Sequence, residues 1–154
     1  MIKINVIVNN SIWTRFIKKP NAYIDSKIKK LNKSNKKYKK NIIYCTLLLS
    51  GSYEIKRLNK KFRKKNKVTN VLSFPFYNKK ILNKKLNNEK EVYLGDIIIN
   101  LSKLREKKKL NLFKSNFDKL WVHGLAHLFG YDHKKNKDFK KMQNVEKNYL
   151  KYIK

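Results

Sequence analysis

The segment WVHGLAHLFGYDH, Trp121 to His133, decides how this chain is read. His123 and His127 stand four residues apart, so on a helix their imidazoles project from one face about a turn apart and can share one ion. Gly130 takes up the left-handed backbone conformation without steric cost, which ends the helix and lets the chain fold back to carry His133 to the same place. Phe117, Trp121, Val122, Leu125 and Leu128 make this helix apolar around most of its circumference, as expected of a central, buried helix. Two imidazoles on the minority face of such a helix need partners, and a shared divalent metal supplies them at once. The competing account makes His123 and His127 ordinary core histidines bonded to carbonyls, with His133 as a helix-terminal cap.

Three neutral imidazoles leave one tetrahedral position open, the arrangement of catalytic rather than structural zinc sites. We therefore expect one Zn2+ per chain, held by His123, His127 and His133, in a hydrolytic site. The spacing H-x-x-x-H-x-x-G-x-x-H is that of the metzincin proteases. Gly124, however, stands where those enzymes carry the glutamate that acts as general base, which weakens a peptidase reading.

Working outward, Ser115 to Phe129 is read as the central helix and Asp138 to Ile153 as a second one, with Phe139, Met142, Tyr149 and Ile153 on its apolar stripe. Leu101 to Leu110 is read as a further helix. Asp96 to Ile99, Val71 to Phe74, Ile42 to Leu49 and Lys3 to Val8 have the length and composition of strands. Tyr77 to Tyr93 has weak periodicity and reads as an exposed excursion. Ser50-Gly51-Ser52 offers a turn and N-cap to a helix Tyr53 to Phe62 that turns Ile55, Leu58 and Phe62 inward. Ala22 to Leu31 is read as a helix, and Asn32 to Asn41 as a solvated connection. The expectation is an α+β fold with α/β-like layers: a small mixed sheet of about four strands packed with helices, the metal-binding helix central and near the C-terminus. No linker or repeat divides the chain, so 1–154 reads as one domain.

The net charge of +30 invites a polyanionic partner. It needs discounting, because 36 Lys, 20 Asn and 15 Ile against 4 Arg, 4 Gly, 2 Ala and 2 Pro is the imprint of a strongly A+T-biased genome. By the same reasoning, an arginine or glycine that persists does something lysine or asparagine cannot. No apolar run reaches the ~18 residues of a membrane span and no signal peptide is evident, so a soluble cytoplasmic protein with no membrane partner is expected. Cys45, the single cysteine, lies in an apolar run and reads as a buried, inert thiol.

The segment HGLAHLFGYDH resembles the signature H-G-x-x-H-L-x-G-Y-D-H of the YbeY family of bacterial ribosomal-RNA maturation factors. LNKKFRKKNKVTNVLSFPF (Leu58 to Phe76) and LGDIIIN (Leu94 to Asn100) resemble two further segments of that family. Asn66, Val68 and Asn70 stand where the family more often shows Asp, Pro and Asp, and Ala126 where it more often shows leucine. The resemblance implies zinc ligands at His123, His127 and His133 and an active-site arginine at Arg63. It also implies a metal-dependent, single-strand-preferring endoribonuclease acting in 3′-end maturation of small-subunit (16S) rRNA and in ribosome quality control, with rRNA and the small ribosomal subunit as partners. Two other classes stay open: a metallopeptidase-like hydrolase, and a non-catalytic ribosome-assembly factor in which zinc holds the C-terminal helices together.

Overall fold

A computed structural model of the chain describes residues 1–105, 107–133 and 136–154. Four strands form one mixed sheet: β1 (Ile2–Val8), β2 (Ile42–Ser50), β3 (Val71–Pro75) and β4 (Glu91–Asn100), in the spatial order β1-β2-β4-β3. β1 and β4 run parallel to β2, and only the edge strand β3 is antiparallel. The helices are α1 (Trp13–Phe16), α2 (Pro20–Ser34), α3 (Ser52–Arg63), α4 (Lys79–Asn88), α5 (Leu110–Leu128) and α6 (Asn136–Tyr152). This is the α+β architecture expected from the sequence. No helix among the described residues is long and apolar enough to cross a membrane.

Alternation along the strands sorts the side chains into two unequal layers. Ile4, Val6, Cys45, Leu47, Leu94 and Ile97 belong to a main core that the sheet shares with α2, α5 and α6. Phe113, Phe117, Trp121, Val122 and Leu125 of α5 are all 0% exposed, so this helix is as central as its sequence suggests. On the opposite face α3 covers only a small cluster of Ile55, Leu72 and Ile98. Cys45 is buried, and burial followed by the nearby Asp96 pushes its thiol up to about 12, the inert cysteine expected.

Several local expectations are corrected. The stretch 77–90 is largely exposed, as expected, but it is not irregular: α4 occupies most of it, started by the Asn78 side chain accepting from the Ile81 N–H (3.0 Å) and anchored by Leu82 at 1% exposure, and β4 begins at Glu91. Leu101 to Leu110 does not form a helix. Leu101 and Leu104 are both buried, and the 3₁₀ turn Leu101–Lys103 meets that three-residue spacing; Glu106 lies outside the described residues. α5 in turn begins at Leu110, where Phe113 stacks on Phe16 (4.7 Å). The N-cap of α3 is Gly51, with no side-chain cap bond. Phe62 is 58% exposed and meets Phe74 edge-on (ring centroids 5.4 Å apart); the buried residue one turn after Ile55 is Asn59, whose Nδ2 donates to the Lys67 carbonyl (2.8 Å). Phe139 is likewise exposed, while Met142 and Tyr149 carry the buried stripe of α6 and Ile153, just past the helix end, is buried as well. Within the supposedly solvated connection, Tyr38 is buried and stacks on Phe129 with ring centroids 4.8 Å apart.

Candidate metal centre

Helix α5 ends as its sequence requires. Gly130 adopts φ +78°, its N–H bonds the His127 carbonyl (2.9 Å), and the Tyr131 N–H bonds the Ala126 carbonyl (3.1 Å), the two bonds of a Schellman turn. The reversal brings His133 back against the helix. Its ring centroid lies 5.8 Å from that of His123 and 5.1 Å from that of His127, and one nitrogen from each of the three rings lies within 4.8 Å of the others. These three side chains could hold a metal ion.

Hydrogen bonding decides which nitrogens are available. The Tyr131 carbonyl can only accept, so His127 Nδ1, 3.0 Å away, carries the proton. His123 Nδ1 lies 2.8 Å from Glu146 Oε1 and donates to that carboxylate. In the neutral rings both Nε2 atoms then present bare lone pairs, and they face each other at 3.2 Å. Two lone pairs at that distance repel unless a cation lies between them. Two nitrogens bound about 2.0–2.1 Å from one tetrahedral zinc are roughly 3.3 Å apart, so the spacing fits that group. Burial, and after it the neighbouring His123, hold the His127 imidazole below its ordinary value, which favours the neutral, ligating form.

Glu146 was invisible to sequence reasoning, since nothing in the helical pattern of 138–153 distinguishes it from a solvated acid. It lies on α6, 23 residues from His123 in sequence. Carboxylates so placed orient a ligand imidazole and raise its basicity. Glu146→Ala should leave the protein folded but weaken zinc binding by about 10- to 100-fold, measured by competition with a chromogenic chelator. Unchanged affinity would reduce Glu146 to a surface contact.

Gly124 has a packing reason. A Cβ built there would lie 2.6 Å from Cγ2 of Ile97, a 0%-exposed residue of β4. The helix face that bears a glutamate in H-E-x-x-H peptidases is here pressed onto the sheet, with no space for even a methyl group. Gly124→Ala gains up to ~1 kcal/mol of helix propensity and loses ~1–3 kcal/mol to overpacking. The expected net loss of ~1 kcal/mol lowers Tm by roughly 2–4 °C in a calorimetric scan. A raised Tm would mean that α5 and β4 are not in close contact at this point.

The three histidines open into a cleft of about 640 Å³ whose other walls include Arg63, Lys65, Asn70, Lys79 and Tyr131. Arg63 is the last residue of α3, an exposed side chain whose Nη2 donates to the Ser73 carbonyl (2.8 Å) and whose guanidinium carbon lies 5.6 Å from the Phe74 ring centroid. Among the described residues no carboxylate pairs with it. The loop that follows is pinned by Asn100, 0% exposed, which donates to the Thr69 carbonyl (3.1 Å) while its own N–H bonds the Asn70 carbonyl (2.9 Å). Positive charge is not concentrated at this cleft: six lysines line a separate groove of about 1270 Å³ between α2, α5 and α6. The acids of that groove are already engaged, Asp118 by Trp121, Tyr23 and Lys27, and Glu146 by His123.

The chain matches the family described as Endoribonuclease YbeY over residues 8–154. It is 43% identical to the Endoribonuclease YbeY of Pelagibacter ubique, in an alignment covering 100% of this chain and 97% of that protein. It is 33% identical over 70 residues to the protein of the same name from Buchnera aphidicola, covering 43% of each. A solution structure of a Thermotoga maritima protein covers 98% of this chain and 89% of its own, with a TM-score of 0.59 at 21% identity, a likeness of fold. Since the first of these alignments runs the length of both chains and the family match includes the histidine cluster, Arg63 and the β4 segment, the chain belongs to the YbeY family of endoribonucleases.

Proposed function

We propose that this protein is a zinc-dependent endoribonuclease of the bacterial cytoplasm. It acts as one domain, 1–154, on single-stranded RNA in 3′-end maturation of small-subunit (16S) rRNA and in ribosome quality control, at the small ribosomal subunit. The observation that carries the reading is the approach of the Nε2 atoms of His123 and His127 to 3.2 Å, beside His133, in a cleft that also holds Arg63. Zinc held by these three imidazoles supplies Lewis acidity at a phosphoryl oxygen or a water.

The chain's own residues do the rest. Glu146 and the Tyr131 carbonyl fix the rings of His123 and His127 so that both Nε2 atoms point into the cleft. Arg63 spends one donor on the Ser73 carbonyl, which sets its plane, and offers the remaining donors to phosphate oxygens. Lys65 and Lys79 add positive potential along the walls. The peptidase reading is opposed by Gly124, whose contact with Ile97 excludes a base at that position.

Incubating the zinc-loaded protein with structured rRNA and with casein, with and without chelator, tests the proposal. Chelator-sensitive cleavage of RNA alone is the expected outcome. Proteolysis would favour the hydrolase alternative, and no cleavage of either would favour a zinc-stabilised assembly factor.

A further inference from the structure

The outer face of the sheet is only half covered. α3 lies over Leu72 and Ile98, but toward β1 the face is open, and Lys3, Asn5 and Tyr44 stand exposed on it. A bulge shapes this region. Tyr44 pairs with Tyr93 and Thr46 with Asp96, so β4 carries one extra residue, Gly95, at φ +126°. A Cβ at Gly95 would strike the Phe74 carbonyl at 2.0 Å, so the close approach of β3 depends on glycine there. By breaking the alternation, the bulge turns Tyr93 and Asp96 to the same open face, where the Tyr93 hydroxyl donates to Asp96 Oδ1 at 2.5 Å.

Four aromatic rings gather on this ground. Tyr44 lies 5.3 Å from Tyr93, Tyr93 lies 5.6 Å from Phe76, and Phe76 lies 4.9 Å from Tyr77. Phe76 is 65% exposed and Tyr44 43%, a large apolar exposure that the core does not require. Together with Asn5 and Thr46 they line a hollow of about 630 Å³. None of its lining residues is charged, and the Tyr93 hydroxyl at its wall is engaged by the Asp96 carboxylate. Such a surface offers phosphate no charged partner and accepts an uncharged planar ring.

The hollow adjoins the metal cleft. Tyr77 lines both, and along Pro75-Phe76-Tyr77 successive residues serve the two sites, Pro75 the metal cleft and Phe76 the hollow. Lys79 on the wall of the cleft places a cation beside this boundary, whereas Lys85, 5.7 Å from the Tyr77 ring centroid, is already paired with Glu89 (2.5 Å). A polyanion held at the histidines and Arg63 can thus continue past Tyr77 with its backbone near Lys79.

We infer that the hollow formed by Tyr44, Phe76, Tyr77 and Tyr93 is a stacking subsite for an unpaired nucleobase of the RNA whose phosphate occupies the metal cleft. The inference rests on the ribonuclease reading and gives it a physical basis for preferring single strands, because a base inside a duplex cannot enter an aromatic hollow. It favours RNA over a protein partner through the net charge of +30 and the shared Tyr77 wall.

The test measures binding of a fluorescently labelled single-stranded RNA, and of an abasic strand of the same length, to the metal-free full chain. The proteins compared are the parent, Phe76→Ala, Tyr44→Ala and Phe76→Trp, each checked for an unchanged melting temperature. The alanine variants should bind the base-bearing strand about tenfold more weakly, bind the abasic strand like the parent, and keep the parent's salt dependence. Phe76→Trp, which retains a stacking surface, should bind like the parent. Equal affinity of parent and both alanine variants for the base-bearing strand overturns the subsite, as does an equal loss with the abasic strand. Cleavage by the zinc-loaded parent is scored separately: a base-dependent binding loss without any cleavage leaves the subsite standing and removes the nuclease reading, whereas cleavage that persists unchanged in the alanine variants, with unchanged binding, removes the subsite alone.

Discussion

In His127→Ala, zinc content is expected to fall from about one ion per chain to a small fraction of that, and RNA cleavage to fall by about 10³-fold or more, the scale of several kcal/mol of lost Lewis-acid stabilisation. The reason is geometric. His127 is the middle of the three proposed ligands, with its Nε2 3.2 Å from that of His123 and its ring centroid 5.1 Å from that of His133. Without it the two remaining imidazoles make an incomplete set. The substitution also leaves the Tyr131 carbonyl without its donor, at a cost of about 1 kcal/mol, so the variant should still fold with Tm lowered by a few degrees. Elemental analysis and circular dichroism separate the two effects. A variant that keeps a full complement of zinc would remove His127 from the ligand set.

Arg63→Lys is expected to keep the fold and the zinc while RNA cleavage falls by about 10- to 10³-fold, on the scale of losing one preorganised charge-stabilising donor. Arg63 is exposed, and its one polar contact among the described residues is to the Ser73 carbonyl at the edge strand, so stability should change by less than ~1 kcal/mol. What lysine loses is the planar fork: a guanidinium fixed by one bond to Ser73 and lying against Phe74 still presents paired donors, and an ammonium presents a point charge. The loss should appear mainly in kcat, because the contact strengthens as charge develops on the phosphate. Activity equal to the parent would return Arg63 to the lysine-rich background. Unfolding, or loss of zinc, would make it a structural residue.

Arg63 also shows where sequence reading is strong and where it stops. Its rarity marked it, 4 arginines among 36 lysines, but only the antiparallel docking of β3 beside α5 puts the end of α3 on the wall of the histidine cleft. Gly124 is a similar case. The sequence says that no glutamate is available at that position, and the contact with Ile97 explains why none fits.

What the sequence determined by itself is the part of the molecule governed by short-range geometry. His123 and His127 share a face because a helix repeats every turn, Gly130 ends that helix because it alone tolerates φ +78° without strain, and His133 returns because three residues suffice for the reversal. The strands followed from apolar runs of the right length, and α5 from apolar residues all around it. The tertiary structure alone decided what depends on which elements meet. Glu146 reaches His123 only because α6 packs on α5. α4 exists in a weakly periodic stretch because Leu82 finds the core, and no helix forms after Leu101 because Leu101 and Leu104 find it through a single turn. Phe62 and Phe139 lie in view of solvent despite their apolar spacing, and Tyr44, Phe76 and Tyr93 assemble across three segments through the bulge at Gly95. Local periodicity states which faces a segment has. Burial depends on what is packed against each face, and that is set by contacts between residues far apart in the chain.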